Sequence, residues 1–267
     1  MLDPYKIAPT YEKEITRAIA REFYQQFDSL VESDVIIIGA GPSGLVCGKE
    51  LASSGVKVLI IEQTNHLGGG FWSGGYLMNK TTIAAPAQEI LEKIGVPCKK
   101  MTKEMYIVDA PHACSKLIGS AFDAGIKVLN LTVLRDLIIR GENNNVEGVV
   151  VNYAPIYEMP KGTAHVDPIG LEGKIVVDAT GHDAIAVQLL AKRGLYKNVP
   201  GNGPMWVAKS EECIMEKTGE VYPNLFLVGL SVAAVFGTPR MGPAFGSMLL
   251  SGKKGADLIQ KKLQSNR

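Results

Sequence analysis

Between Asp34 and Glu62 the chain reads as one strand–turn–helix–strand unit. DVIIIG (34–39) is an unbroken apolar, β-branched run, which suits a strand buried on both faces of a parallel sheet. GAGPSG (39–44) follows, then LVCGKELASSG (45–55), a short helix that stops at glycine. VKVLIIE (56–62) is the second strand. A crossover of this kind is right-handed and leaves its two strands parallel. The chain is therefore committed to an α/β fold around a mainly parallel sheet.

The glycine spacing adds a binding reading. Gly39-x-Gly41-x-x-Gly44 lies directly between strand and helix. Gly39 allows the tight turn, Gly41 lets the backbone approach a pyrophosphate, and Gly44 lets helix and sheet pack closely. The helix N-terminus then faces the anion. Glu62 ends the second strand, where a carboxylate accepts ribose hydroxyls. A negative group there argues against a ribose 2′-phosphate, so the ligand is NAD or FAD rather than NADP.

Two later segments resemble the glutathione-reductase-type flavoprotein fold: DATG (178–181) after a strand, and NLFLVGL (224–230) before a closing helix. In those flavoproteins the late strand ends in Gly-Asp, and the Asp binds the flavin side. Here it ends Gly229-Leu230. A single fingerprint in 267 residues also leaves no second nucleotide domain. Both facts weigh against a flavin-dependent oxidoreductase without removing it.

The remaining organisation is coarser. Residues 11–30 read as an amphipathic helix, with Ile15, Ala18, Ile19, Phe23, Phe27 and Leu30 at helical spacing. It precedes the first strand, so it is expected on the outside or against a partner subunit. A glycine- and aromatic-rich loop covers 66–77, with helical segments near 84–94 and 111–124. One strand is expected over 126–140, an antiparallel partner over 146–153, and an irregular, mobile loop over 154–174. These form a small antiparallel β lobe about 126–174, within a single domain over 1–267. Residues 174–183 read as a buried strand running into a turn, and 237–263 as a glycine-rich turn leading to a long helix.

Composition excludes several function classes. Hydrophobic residues make up 46% and charged residues 21%, enough for a sizeable core. Lys+Arg is 28 and Asp+Glu is 27, so there is no basic face for nucleic acid or anionic lipid. No apolar run spans a bilayer, and MLDPYKIAPTYEKE lacks the features of a leader peptide. Cys47, Cys98, Cys114 and Cys213 lie far apart with no C-x-x-C, so reduced thiols in a cytoplasmic protein are expected rather than a zinc ribbon or iron–sulfur cluster.

Titratable groups concentrate at two further places, His165-Val166-Asp167 in the irregular loop and Gly181-His182-Asp183 at a strand end. Ligands bind at strand carboxyl ends in open α/β sheets. A carboxylate and an imidazole from two such segments suit a divalent metal, iron or zinc, with open positions. The alternative is a turn-capping Asp167 and a surface His182. Arg240, in TPRMGPAFG, is flanked by small residues and suits a bidentate carboxylate contact. The alternative there is a surface Arg at a helix start.

Taken together, SDVIIIGAGPSGL (33–45), GGGFWSGGYL (68–77), HVDP (165–168), DATGHD (178–183) and RMGPAFG (240–246) resemble the thiazole synthase family of thiamine biosynthesis. The resemblance covers nearly the whole chain. It implies that NAD is a substrate: nicotinamide is lost, and the ADP-ribose sugar is opened and joined to glycine and sulfur. The product is an ADP-linked thiazole carboxylate. By resemblance, Ala40, Glu62, Gln63 and Gly70 line the dinucleotide, with backbone contacts from Leu134 and Leu230. Asp167 and His182 match ferrous-iron ligands supplied by neighbouring subunits, in a homo-octamer, and Arg240 matches the residue that holds the glycine carboxylate.

The sulfur-donating members carry a cysteine two residues before the Asp. Here that position is His165, which has no sulfur to give. The resemblance is thus to the sulfide-dependent branch, with His165 as an acid/base for the proton transfers. AIAVQLL (184–190) replaces a Gly-Pro-Phe-Gly run of the sulfur-donating members. Two other classes stand beside the flavin enzyme. A ribose 1,5-bisphosphate isomerase needs a further phosphate cluster, which the sequence lacks. A non-enzymatic NAD sensor has no use for Asp167, His182 and Arg240 together.

Overall fold

The computed structural model describes residues 5–160, 162–163 and 165–265. Residues 1–4, in the segment read as having no leader, and 161 and 164, in the expected 154–174 loop, lie outside the described residues. The chain divides into two compact units, Met1–Glu32 and Ser33–Arg267.

The first unit is built on α1 (Glu12–Leu30). Its apolar stripe is expected from the spacing and lies largely open: Ile15, Ile19 and Phe23 are exposed, beside Tyr11 and Tyr24. The rings of Phe23 and Phe27 stack, with centroids 6.0 Å apart.

The second unit begins as the sequence predicts. β1 (Glu32–Ile38) leads through the glycine turn into α2 (Pro42–Ser53) and on to β2 (Val58–Ile61). The two strands pair in parallel, Val35 opposite Val58, and Ile36, Ile37, Leu59 and Ile60 are fully buried. A short 3-10 turn (Gly69–Phe71) follows.

Next comes a part the sequence reading missed. β3 (Lys80–Ala84), α3 (Gln88–Glu92), β4 (Lys99–Lys100) and β5 (Met105–Asp109) form a separate sheet in the order β3–β5–β4. The helix expected near 84–94 shrinks to five residues, because Ala84 still pairs with Met105 as the end of β3 and turns occupy both sides of Gln88–Glu92. α4 (Ala110–Asp123) follows, its first turn capped by the Asp109 carboxylate, which accepts from the His112 N–H at 3.0 Å.

The single strand expected over 126–140 is two strands. β6 (Lys127–Leu129) pairs with β2, whereas β7 (Thr132–Arg140) pairs with β8 (Asn145–Tyr153). Leu131 turns the chain between them with φ +50°. After α5 (Pro155–Glu158), β9 (Ile169–Asp178) begins earlier than expected. Its first half pairs antiparallel with β8 and its second half parallel with β12, introduced below, so the 126–174 lobe is an extension of the main sheet.

A 3-10 turn (Gly181–Asp183), α6 (Ile185–Lys192), β10 (Gly203–Met205), α7 (Val207–Lys217), β11 (Gly219–Tyr222), β12 (Leu225–Leu227), α8 (Leu230–Phe236), β13 (Pro239–Arg240) and α9 (Gly246–Ser265) complete the chain. The eight-stranded sheet runs β11–β12–β9–β1–β2–β6, with β8 and β7 joined to it through β9. It is an α/β fold with a mixed sheet: antiparallel pairs at β11–β12 and β7–β8–β9 flank the parallel ones.

α9 closes the fold over α2. A Cβ at Gly252 would stand 2.4 Å from the Ser43 carbonyl oxygen, and one at Gly255 2.5 Å from Val228 Cγ1. The glycines of SGKKG are what let this helix lie so close. Gly252→Val is expected to destabilise the protein by about 3 kcal/mol or more, since the obstruction is backbone. An unchanged thermal midpoint would contradict this packing.

Candidate functional site

The fingerprint turn is built as its spacing requires. Gly39 has φ +101°, and a Cβ there would stand 2.6 Å from the Ala179 carbonyl oxygen. A Cβ at Gly44 would stand 2.1 Å from the Gly39 oxygen. Gly41 meets nothing within 4 Å, so its backbone is open to a ligand. Pro42 occupies the first turn of α2, where its missing N–H costs nothing. Gly41, Pro42 and Ser43 face a cavity of about 530 Å³, within the range of small-molecule sites.

Glu62 stands at the wall of this cavity, 8% exposed. Its own backbone is fixed on both sides, donating to Leu129 O and accepting from Thr132 N, each at 2.9 Å. Its carboxylate accepts from the Ala40 N–H at 2.9 Å through Oε2 and from the Thr64 N–H at 2.8 Å through Oε1. The Thr64 hydroxyl has one proton and two acceptors in reach, Glu62 Oε1 at 2.9 Å and the His66 carbonyl at 2.7 Å. A carboxylate has about four lone-pair positions. Two remain for ligand hydroxyls when Thr64 turns to His66, which matches a ribose with two.

The opposite wall is the turn after β9, governed by Asp178, which is fully buried. Oδ1 accepts from Thr180 N at 3.0 Å, Thr180 Oγ1 at 2.7 Å and Ser231 Oγ at 3.0 Å, and Oδ2 from Ala186 N at 2.9 Å. Burial pushes the Asp178 pKa up, and these hydrogen bonds pull it the other way. Ser231 Oγ also accepts from Gly181 N at 3.0 Å. Thr180 Oγ1 accepts from Ile185 N at 2.9 Å. Between them Ala184, fully buried, is held at φ +41°, a conformation that favours glycine. His182 projects from this turn into the cavity lining.

A family model described as the Thi4 family matches residues 16–245. The chain belongs to the Thi4 family. A thiamine thiazole synthase from Aeropyrum pernix is 50% identical over 252 residues, covering 94% of this chain and 92% of that protein. The crystal structure of Thermovibrio ammonificans THI4 superposes with a TM-score of 0.92 at 36% identity, over 96% of this chain and 100% of that one. A geranylgeranyl bacteriochlorophyll reductase-like protein from Thermoplasma acidophilum shares the fold alone, with a TM-score of 0.55 at 15% identity over 88% and 79% of the two chains.

Of the residues that the sequence singles out, Gly39, Gly41, Glu62, Gln63, Gly70, Leu134, His182 and Leu230 line this cavity. Ala40 sits behind the wall as the donor to Glu62, and Gly44 serves packing. His165, Asp167 and Arg240 do not line it and are exposed. Arg240 Nε donates to the Gly203 carbonyl at 3.4 Å, and the rest of its guanidinium is without an ion pair among the described residues. No set of three or more His, Cys, Asp or Glu gathers as a metal site among the described residues of a single chain.

Thr64, Asp178 and Ser231 are the functional neighbours that the sequence reading missed. Thr64 and Ser231 carry no local signal. Asp178 does, as an ionisable residue ending a buried apolar run. In Asp178→Asn, an amide N–H would oppose donors from α6 or from Thr180 and Ser231. The variant is expected to lose about 3 kcal/mol, read as a lower urea midpoint. An unchanged midpoint would mean that the turn does not depend on this carboxylate.

Proposed function

We propose that this chain makes an ADP-linked thiazole carboxylate, the thiazole precursor of thiamine, from NAD, glycine and sulfide with Fe(II). The observation that carries this reading is a single cavity that pairs the dinucleotide fingerprint and Glu62 with the imidazole of His182, while none of the four cysteines lines it. His165 stands where the sulfur-donating members carry a cysteine, so in this reading sulfur comes from solution. Burial pushes the Cys114 thiol up to about 12 and raises Cys98 and Cys47 as well, so these sulfurs stay protonated at neutral pH.

In this reading the N-terminus of α2 binds the pyrophosphate, and Glu62 takes the adenosine ribose hydroxyls. Gln63, Gly70, Leu134 and Leu230 line the rest. The same carboxylate repels a 2′-phosphate, which selects NAD over NADP. Arg240 holds the glycine carboxylate, and its guanidinium, which has no ion pair among the described residues, is available for a bidentate contact. His165 moves protons during imine formation, tautomerisation and loss of water.

Asp167 and His182 are proposed to hold Fe(II), one from each of two neighbouring copies in a homo-octamer. Neither side chain has a hydrogen-bond partner among the described residues, so their lone pairs are available to a cation. A carboxylate–imidazole set with open positions fits ferrous iron. When bound, the metal supplies a Lewis acid and a template for substrate. Ferrous iron, sulfide and unpaired cysteines point to a reducing cytoplasm. The DATG turn and the late buried strand β12 support a glutathione-reductase-like fold, and Leu230, where the flavoproteins carry Asp, supports a dinucleotide that is consumed rather than cycled.

Anaerobic incubation with NAD, glycine, sulfide and Fe(II) is expected to give, by mass spectrometry, a product that retains adenosine and gains sulfur. No such product, or unchanged turnover in His165→Cys, Asp167→Ala and Arg240→Ala alike, would overturn the reading. Binding is separable from chemistry. Glu62→Gln is expected to weaken ADP-ribose about 10–100-fold by calorimetry, because charged hydrogen bonds are lost. Equal affinity would remove Glu62 from the ribose site.

A further inference from the structure

Asn152 is an odd residue for its position. It lies in β8 directly after Val149, Val150 and Val151 and is 3% exposed. Asparagine is a weak strand former, and burying its amide is unfavourable unless its polar atoms are paired. Both are paired here. Oδ1 accepts from the Tyr153 N–H at 2.8 Å, and Nδ2 donates to the Val166 carbonyl at 3.1 Å.

Val166 stands between His165 and Asp167. No other side-chain hydrogen bond to His165, Val166 or Asp167 is found among the described residues. The cross-strand partner of Asn152 is Val133, which lines the dinucleotide cavity together with Thr132 and Leu134 on either side. One rung of the β7–β8 ladder therefore joins the cavity wall to the segment that carries His165 and Asp167.

We infer that Asn152 is the positioning residue of this segment: its amide fixes the peptide from which His165 and Asp167 project. A valine would suit the strand better and fill similar space. What it lacks is the donor to Val166 and the acceptor for the Tyr153 N–H. The inference rests on the functional reading only for the consequence at Asp167, a cation ligand in that reading. Partners that orient metal ligands typically change metal affinity 10–100-fold when lost.

Asn152→Asp tests this directly. It keeps the shape and the acceptor for Tyr153 N, but turns an unprotonated oxygen toward the Val166 carbonyl. In the assembled protein, limited proteolysis between positions 159 and 168 is expected to quicken about tenfold or more, with cutting elsewhere unchanged. Affinity for Co(II), used as a ferrous stand-in, is expected to fall about 10–100-fold. ADP-ribose affinity and the thermal midpoint are expected to hold. Unchanged cleavage would overturn the inference, and so would a parallel collapse of ADP-ribose binding and melting, which marks a merely structural role. Asn152→Val removes both the donor and the acceptor for Tyr153 N without adding a charge, and the same readouts apply to it if the aspartate variant fails to fold. Asp167→Asn, run alongside, separates the two readings. If it leaves Co(II) binding unchanged, the metal role of Asp167 falls, and cleavage of the segment alone decides Asn152.

Discussion

At Gly39 and Gly44 the backbones of β1, α2 and the turn after β9 approach more closely than any side chain permits. A Cβ at either position would overlap a carbonyl oxygen, at Ala179 or at Gly39. This contact sets the height of the α2 N-terminus above the strand ends. It also places the Ala40 N–H against Glu62 and brings the Asp178 turn to the opposite wall. α9 depends on it in turn, since Gly252 seats on Ser43 at the start of α2. The cavity is the space these contacts enclose.

Two carboxylates organise that space in different ways. Glu62 lies at the cavity wall with part of its acceptor capacity unused, which is what a ligand-binding group needs. Asp178 is buried and its acceptor capacity is taken up by Thr180, Ser231 and α6, which is what a structural anchor needs. The anchor holds a strained Ala184 and, through the same turn, His182. The strain lies next to the residue on which the proposed chemistry depends, a common location for it.

The β-α-β unit, the late buried strand and the closing helix were legible because their periodicity is strong and their glycines are placed by geometry. β3 and β5 were not, because five-residue strands such as KTTIA and MYIVD carry too little pattern to outweigh a nearby helical one. The break between β6 and β7 was hidden because Asn130 and Thr132 alternate with Leu129, Leu131 and Val133 as in one continuous strand, and only the left-handed Leu131 turns the chain. In the site, Glu62 was readable from its place at a strand end. Thr64, Ser231 and Asn152 were not, since their roles come from contacts across 2, 53 and 14 positions of sequence.

The cavity of one chain gathers the dinucleotide-binding groups and His182, yet leaves His165, Asp167 and Arg240 outside its lining. The proposal requires that a neighbouring copy complete the site. Co-assembly of an Asp167→Ala chain with a His182→Ala chain, each inactive alone, measures this most directly. Regained anaerobic formation of the adenylated thiazole in mixed assemblies is the predicted result. Continued inactivity, in assemblies shown by mass spectrometry to contain both chains, would contradict a site shared between copies.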